Sequence, residues 1–140
     1  MSEPAEYLLD TNVLSELRKK KPDPGVVRFV AGCDESTIHI SVLTLGELRK
    51  GVAQKRRSDD DAAQVLEQWV DGLESNFTER MLSVDAETAR IWGEWSADRS
   101  RPVIDTLLAA TAARRGLTLV TRNTRDMRGL DVTTLNPWKK

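Results

Sequence analysis

The chain has very little of what most hydrolytic chemistry depends on. Among its 140 residues there is one histidine, His39, and one cysteine, Cys33. A lone cysteine excludes an intrachain disulfide and suits a reducing compartment. A Cys/His zinc centre, the histidine pair of a metalloprotease, and Cys–His or Ser–His–Asp arrangements are excluded or reduced to His39 alone. Aromatic residues make up only 5%. No charge of one sign dominates either: 21 Lys and Arg stand against 22 Asp and Glu, a formal net charge of -1. That balance excludes a histone-like basic coat, yet leaves room for an acidic pocket beside local basic patches. Long apolar runs are missing too. The purest, Leu107–Ala113, falls far short of the ~20 residues that span a bilayer. Met1–Tyr7 carries two acids and no apolar core, unlike a signal peptide. The expectation is a cytoplasmic protein with no membrane association.

What is present is a globular balance, 39% hydrophobic and 31% charged, at a length that suits a single domain over residues 1–140. Neither repeats nor a Pro/Gly/Ser-rich linker divide it. Short apolar or β-branched runs at Tyr7–Leu9, Ser36–Ile40, Arg80–Val84, Leu117–Val120 and Val132–Leu135 predict five strands. Between them lie helical patterns at Asn12–Lys20 and Gly25–Ala31, and after a Ser41 cap with Val42, Leu45, Leu48 and Val52 on one stripe. Others are expected at Asp59–Glu74, after an Asp85 cap with Ala89, Trp92 and Trp95, and at Val103–Arg115, closed by Gly116. This alternation predicts an α/β fold, a parallel sheet covered by helices on both faces. In such folds ligands gather at the carboxyl ends of the strands.

The polar residues at those ends are therefore the ones to weigh. Asp10 directly follows the first strand, within Leu9-Asp10-Thr11-Asn12. A helix N-cap accounts for one of the three polar residues, and three are more than one cap requires. Asp105 shares a helical face with Leu108, Ala109 and Ala112. Its carboxylate points inward, where an unpaired charge is expensive; a first-turn acid favoured by the helix dipole is one explanation, and a metal ion or a polar site would compensate the charge better. Glu47 lies off the apolar stripe, on a ridge with Thr44 and Gly51, where a solvated acid and a site acid are both compatible with the spacing. Thr121-Arg122-Asn123-Thr124-Arg125-Asp126 follows the fourth strand, as a capped loop or as part of a site. Trp69, Trp92 and Trp95, large apolar groups on helical stripes, suit core packing or a subunit interface, and His39 and Cys33 are assigned no chemistry.

Taken in order, these segments resemble the PIN-domain ribonucleases, and among them the VapC-type toxins of bacterial toxin–antitoxin modules and their plasmid-stability relatives. The resemblance rests on Leu8-Leu9-Asp10-Thr11-Asn12-Val13-Leu14-Ser15-Glu16, on Ser41-Val42-Leu43-Thr44-Leu45-Gly46-Glu47-Leu48-Arg49-Lys50-Gly51, and on Ile104-Asp105-Thr106-Leu107-Leu108-Ala109-Ala110-Thr111-Ala112. Leu119-Val120-Thr121-Arg122-Asn123 and Asn136-Pro137-Trp138 complete it. It implies a three-layer α/β/α PIN domain with a central parallel sheet of about five strands, and a nuclease site dependent on Mg²⁺ or Mn²⁺. Asp10, Glu47 and Asp105 match the family's acidic positions and are implied as catalytic and metal-holding residues. Asn12, Thr121, Asn123 and Asp126 are implied as their supports. Three departures stand out. Asn123 occupies a position where the family often has a fourth acid, with Asp126 three residues on. Met127 replaces a usual aromatic, and the short Arg99-to-Asp105 connection lacks a glycine common there.

The composition and the implied chemistry agree. Two divalent ions roughly 3.5–4 Å apart can activate water and neutralise phosphoryl charge without a histidine, and carboxylates crowded together favour a cation between them. RNA would be held through its phosphates, with Arg49, Lys50, Arg122 and Arg125 as the expected contacts and the basic runs 18–21 and 55–57 as further candidates. Single-stranded or looped RNA is the expected substrate. The resemblance also implies a homodimer and a cognate antitoxin, in a hetero-oligomer with it. One rival is a catalytically degenerate PIN-fold module that binds RNA or protein, which Asn123 favours. A receiver-like phosphoaspartate domain is disfavoured because no lysine follows Thr118-Leu119-Val120.

Overall fold

A computed structural model describes residues 5–138. Five parallel strands form the central sheet in the order β3-β2-β1-β4-β5. They are β1 (Tyr7–Leu9), β2 (Ile38–Ser41), β3 (Met81–Leu82), β4 (Thr118–Val120) and β5 (Thr134–Leu135). Between β1 and β2 run α1 (Thr11–Arg18) and α2 (Pro24–Ala31); between β2 and β3 run α3 (Val42–Arg56) and α4 (Asp60–Asn76). The crossover from β3 to β4 is made by α5 (Ala86–Trp95) and α6 (Val103–Arg115). The chain lays strands on one side of β1, then returns to place β4 on the other. The strand order therefore reverses between β1 and β4, which is where folds of this kind open a crevice at the carboxyl ends.

Alternation along the short strands divides the core in two. Leu9 and Val120 face a cluster with Val13, Leu14, Ile40, Leu48, Val52, Val70 and Phe77, which takes in α1 to α4. Leu8 and Leu119 face the opposite way, onto Leu108, Ala109 and Ala112 of α6, with Trp95 of α5 against them. Each fully buried leucine contributes about 1.5–3 kcal/mol. Three layers result, because a sheet apolar on both faces must be covered on both.

Side-chain caps start most of the helices. Asp23, Ser41, Asp59 and Asp85 each accept a backbone N–H from the first turn of α2, α3, α4 and α5. Gly116, at φ 69°, ends α6 in the left-handed conformation that glycine adopts without strain.

Several boundaries differ from expectation, each for a local reason. The strand expected at 36–40 becomes a 3₁₀ turn, Glu35–Thr37, followed by β2, because the Asp34 carboxylate accepts the Ser36 N–H and hydroxyl. The strand expected at 80–84 shrinks to β3. Arg80 belongs to a second 3₁₀ turn, Thr78–Arg80, and its guanidinium donates to the carbonyls of Glu35, Ile38 and Asn76. Val132 turns back onto the Leu130 carbonyl, which delays β5. Val42, expected on the buried stripe of α3, is exposed; Thr44, Leu48 and Val52 are the buried residues of that helix.

Candidate active site

Asp10 and Thr121 stand one step beyond neighbouring strands, and backbone ladders carry them into register. The Asp10 N–H donates to the Val120 carbonyl at 2.9 Å and the Thr121 N–H to the Leu135 carbonyl at 3.0 Å. Their side chains consequently meet: the Thr121 hydroxyl donates to Asp10 Oδ2 at 2.7 Å. Asp10 Oδ1 accepts the Thr11 N–H at 2.6 Å. The cap and the site are therefore the same carboxylate, only 4% exposed.

Thr11 links this acid to the next. Its hydroxyl donates to Glu47 Oε1 at 2.6 Å and lies 3.1 Å from the Thr44 hydroxyl. With one proton per hydroxyl, the chain of donors runs Thr44 to Thr11 to Glu47. The ridge of Thr44 and Glu47 on α3 thus faces α1 across the crevice rather than solvent. Asp105, half-buried in the first turn of α6, is near enough for its charge to act on Asp10 and for that of Glu47 to act on it.

The electrostatics tie the acids together. Burial pushes the Asp10 carboxyl above its ordinary value; the Thr121 hydroxyl opposes this, while the charges of Asp105 and Glu47 add to it. Burial likewise raises Asp105, reinforced by Glu47 and Asp126. Among the described residues no Lys, Arg or His forms an ion pair with any of the four. Negative charge is concentrated here without a compensating cation.

Asn12 stands at the edge of the group. Its amide donates to Asp10 Oδ2 at 3.4 Å, with the Thr121 hydroxyl 3.5 Å away, while its Oδ1 is buried without a partner. Asn123 contributes through its backbone, whose N–H donates to the Thr121 hydroxyl at 3.0 Å. Asp126 is exposed on a 3₁₀ turn, Thr124–Met127, and touches the group through its charge on Asp105. Among the described residues no three His, Cys, Asp or Glu side chains are arranged to hold a metal ion by themselves. The donors nevertheless fit a hydrated divalent ion. They are all oxygens, the carboxylates repel one another, a buried acceptor has no partner, and Mg²⁺ retains several waters and needs few protein ligands.

The expected RNA contacts separate. Lys50 is exposed in a groove of about 490 Å³ that also includes Glu47, Gly51, Leu43 and Ile104. A Cβ at Gly51 would meet open space, so the glycine widens this groove without admitting a close neighbour. Arg49 points elsewhere: it is held by Asp71 at 2.8 Å and Glu74 at 2.7 Å on α4, which raises its guanidinium further. The α3–α4 packing therefore occupies it. Arg122 lies 5.3 Å from the Trp138 ring centre, in a hollow shared with Lys19 and Lys21. Arg125 lines a separate cavity beside Asp126. Outside these surfaces, His39 sits within reach of the Tyr7 carbonyl and Glu6, and the Cys33 thiol faces the Phe29 carbonyl. Trp69 and Trp95 pack against the two cores.

Sequence reasoning passed over Thr11 and Thr44 as individual site residues. The excess of polar residues around Asp10 was the available signal for Thr11. Nothing in the spacing announced Thr44, whose role follows from α3 lying against α1.

Known proteins bear on this geometry. The model of the PIN domain matches residues 7–132. Toxin FitB of Neisseria gonorrhoeae is 32% identical, with 94% of this chain and 97% of that protein covered. A VapC ribonuclease of Sinorhizobium fredii is 31% identical over 94% of this chain and 97% of its own length. The crystal structure of FitAcB from Neisseria gonorrhoeae superposes with a TM-score of 0.86 at 30% identity, covering 96% of this chain and 99% of that one. The strand order, the crevice at its reversal point and these matches agree: the chain belongs to the PIN domain family.

Proposed function

We propose that this chain is a divalent-metal-dependent ribonuclease and the toxin of a toxin–antitoxin pair. One observation carries the reading. Acids from separate segments, Asp10, Glu47 and Asp105, come together beyond the carboxyl ends of parallel strands: burial raises Asp10 and Asp105, the Glu47 charge adds to both, and none has a cationic partner among the described residues. Buried like charges of this kind persist when function requires them. Similarity to proteins named as a VapC ribonuclease and toxin FitB supports the same chemistry.

Asp10 and Asp105 would hold Mg²⁺ or Mn²⁺, with Glu47 as a further or water-mediated ligand. A bound ion supplies the polarisation of a phosphodiester and of an attacking water that the missing histidines cannot. The protein's own share is orientation. Thr121 fixes one oxygen of Asp10 and the Thr11 N–H the other, so the carboxylate keeps one rotamer. The Thr44–Thr11–Glu47 chain holds Glu47 against α1. Asn12 and Asn123 brace Asp10 and Thr121, and Asp126 adds negative charge at the rim. Lys50, Arg122 and Arg125 present positive charge to RNA phosphates.

The proposed setting is cytoplasmic, as a homodimer that an antitoxin binds. No helix among the described residues is long and apolar enough to cross a membrane. In vitro cleavage of single-stranded RNA tests the core reading. Activity should require Mg²⁺ or Mn²⁺ and fall by about 10²-fold or more in Asp10→Asn and Asp105→Asn. Equal cleavage by all three proteins would overturn it.

A further inference from the structure

The connection between α5 and α6 forms a second cationic feature beside the acids. Arg99, Ser100, Arg101 and Pro102 line a cavity of about 270 Å³ together with Arg125 and Asp126. This short connection carries two arginines and no glycine. The arginines differ from those that ion pairs occupy elsewhere on the molecule. Arg49, Arg80 and Arg90 are each bound to carboxylates. Among the described residues Arg99, Arg101 and Arg125 make no ion pair, although Asp126 shares their cavity. Arg101 is fixed through its Nε, which donates to the Trp95 carbonyl at 3.1 Å, leaving its outer nitrogens free to bind.

From this arrangement we propose that Arg99, Arg101 and Arg125 form a subsite for the RNA phosphodiester adjacent to the one cleaved. The inference rests on the ribonuclease reading and deepens it. The cavity is smaller than the roughly 300–1,000 Å³ that small-molecule sites occupy, and its lining contains no aromatic ring on which a base would stack. Guanidinium forks match phosphate oxygens, and the Ser100 hydroxyl adds a donor. Position favours a neighbouring phosphate. Asp126 stands in the cavity wall and acts electrostatically on Asp105, so the subsite borders the acid group without containing Asp10 or Glu47. Three unpaired arginines there offset the repulsion that the acids exert on the RNA backbone.

Steady-state cleavage of a short single-stranded RNA by the full chain tests this, comparing wild type with the double variant Arg99→Gln, Arg125→Gln. Arg101 is left in place because it anchors the connection, and an unchanged melting temperature confirms that the variant folds. KM should rise about tenfold while kcat falls less than twofold. The slope of log kcat/KM against log salt should flatten by about 0.7 for the lost phosphate contact. A neutral methylphosphonate at the linkage next to the cleaved one should weaken the wild type several-fold more than the variant, which keeps only Arg101. Arg99→Lys, Arg125→Lys should recover part of the loss. Wild-type kinetics and salt slope in the double variant would overturn the subsite while leaving the nuclease reading intact, and would be the outcome if the arginines serve a protein partner instead. Absence of cleavage by the wild type would overturn the underlying reading.

Discussion

Asp10 and Glu16 lie six positions apart, at the start and within the body of α1, and both are almost fully buried. Their carboxyls are driven in opposite directions. Burial and neighbouring acids raise Asp10. Lys19 first, then the Asp23 N–H, hold Glu16 below its ordinary value despite its own burial, with Trp138 adding to the effect. Lys19 Nζ approaches Glu16 at 2.9 Å and the Asp23 N–H at 2.8 Å. Burial alone therefore does not mark a functional acid. What distinguishes Asp10 is that its nearest charged company has the same sign. Glu16 ties the end of α1 to the turn before α2 and to the end of the described chain. Asp10 has no cation like Lys19 beside it among the described residues.

The contrast can be broken at several points. The largest effect is expected from Thr121→Val, which removes the hydroxyl that holds Asp10 Oδ2. RNA cleavage should fall by about 10–100-fold, the usual cost of losing a residue that orients a metal ligand, with partial rescue at higher Mg²⁺. Next, Mg²⁺ added to the wild type should raise Tm, by about 2.7 kcal/mol of stability at 100 times Kd. Glu16→Gln should keep that response and Asp105→Asn should lose most of it. An equal response in all three would remove the distinction drawn between the two kinds of acid.

The pH dependence sharpens it further. Asp105 has a folded pKa above its unfolded value of 3.8. The folded state binds the proton more tightly, so stability declines as pH rises from 3.8 through the folded pKa. Asp105→Asn should accordingly melt a few degrees higher than wild type at pH 7 without metal, and the gain should vanish below pH 3.8. Glu16 has the opposite sign. Its stabilisation is present above the unfolded value of 4.5 and is lost as pH falls through the lowered folded pKa. Thermal melts across this acid range should show a shallower loss for Glu16→Gln than for wild type, the smallest of these effects.

How much of this was legible in the sequence depends on how local the cause is. Asp10, Asp85 and Gly116 were readable because caps and turns depend on a few adjacent residues. The parallel α/β architecture was readable from the alternation of short apolar runs with helical stripes. The fate of Arg49 was not. Its pairing with Asp71 and Glu74 depends on how α3 meets α4, and residues 22 and 25 positions apart carry no spacing signal. The late start of β3 has the same origin, since the Arg80 guanidinium is claimed by carbonyls from distant turns. Glu47 lay between these extremes: its ridge was visible, but the hydroxyl of Thr11 that holds it comes from another helix.

The bond between Thr121 and Asp10 spans 111 positions of the chain, and β1 takes β4 as its neighbour at the centre of the sheet. During synthesis, domains order as their segments emerge, but here the first strand waits for almost the last. A nascent polypeptide that stops short of Thr121 has every carboxylate of Asp10, Glu47 and Asp105 and lacks the hydroxyl that aims the first of them. The aim of the Asp10 carboxylate is thereby tied to the docking of β4 beside β1.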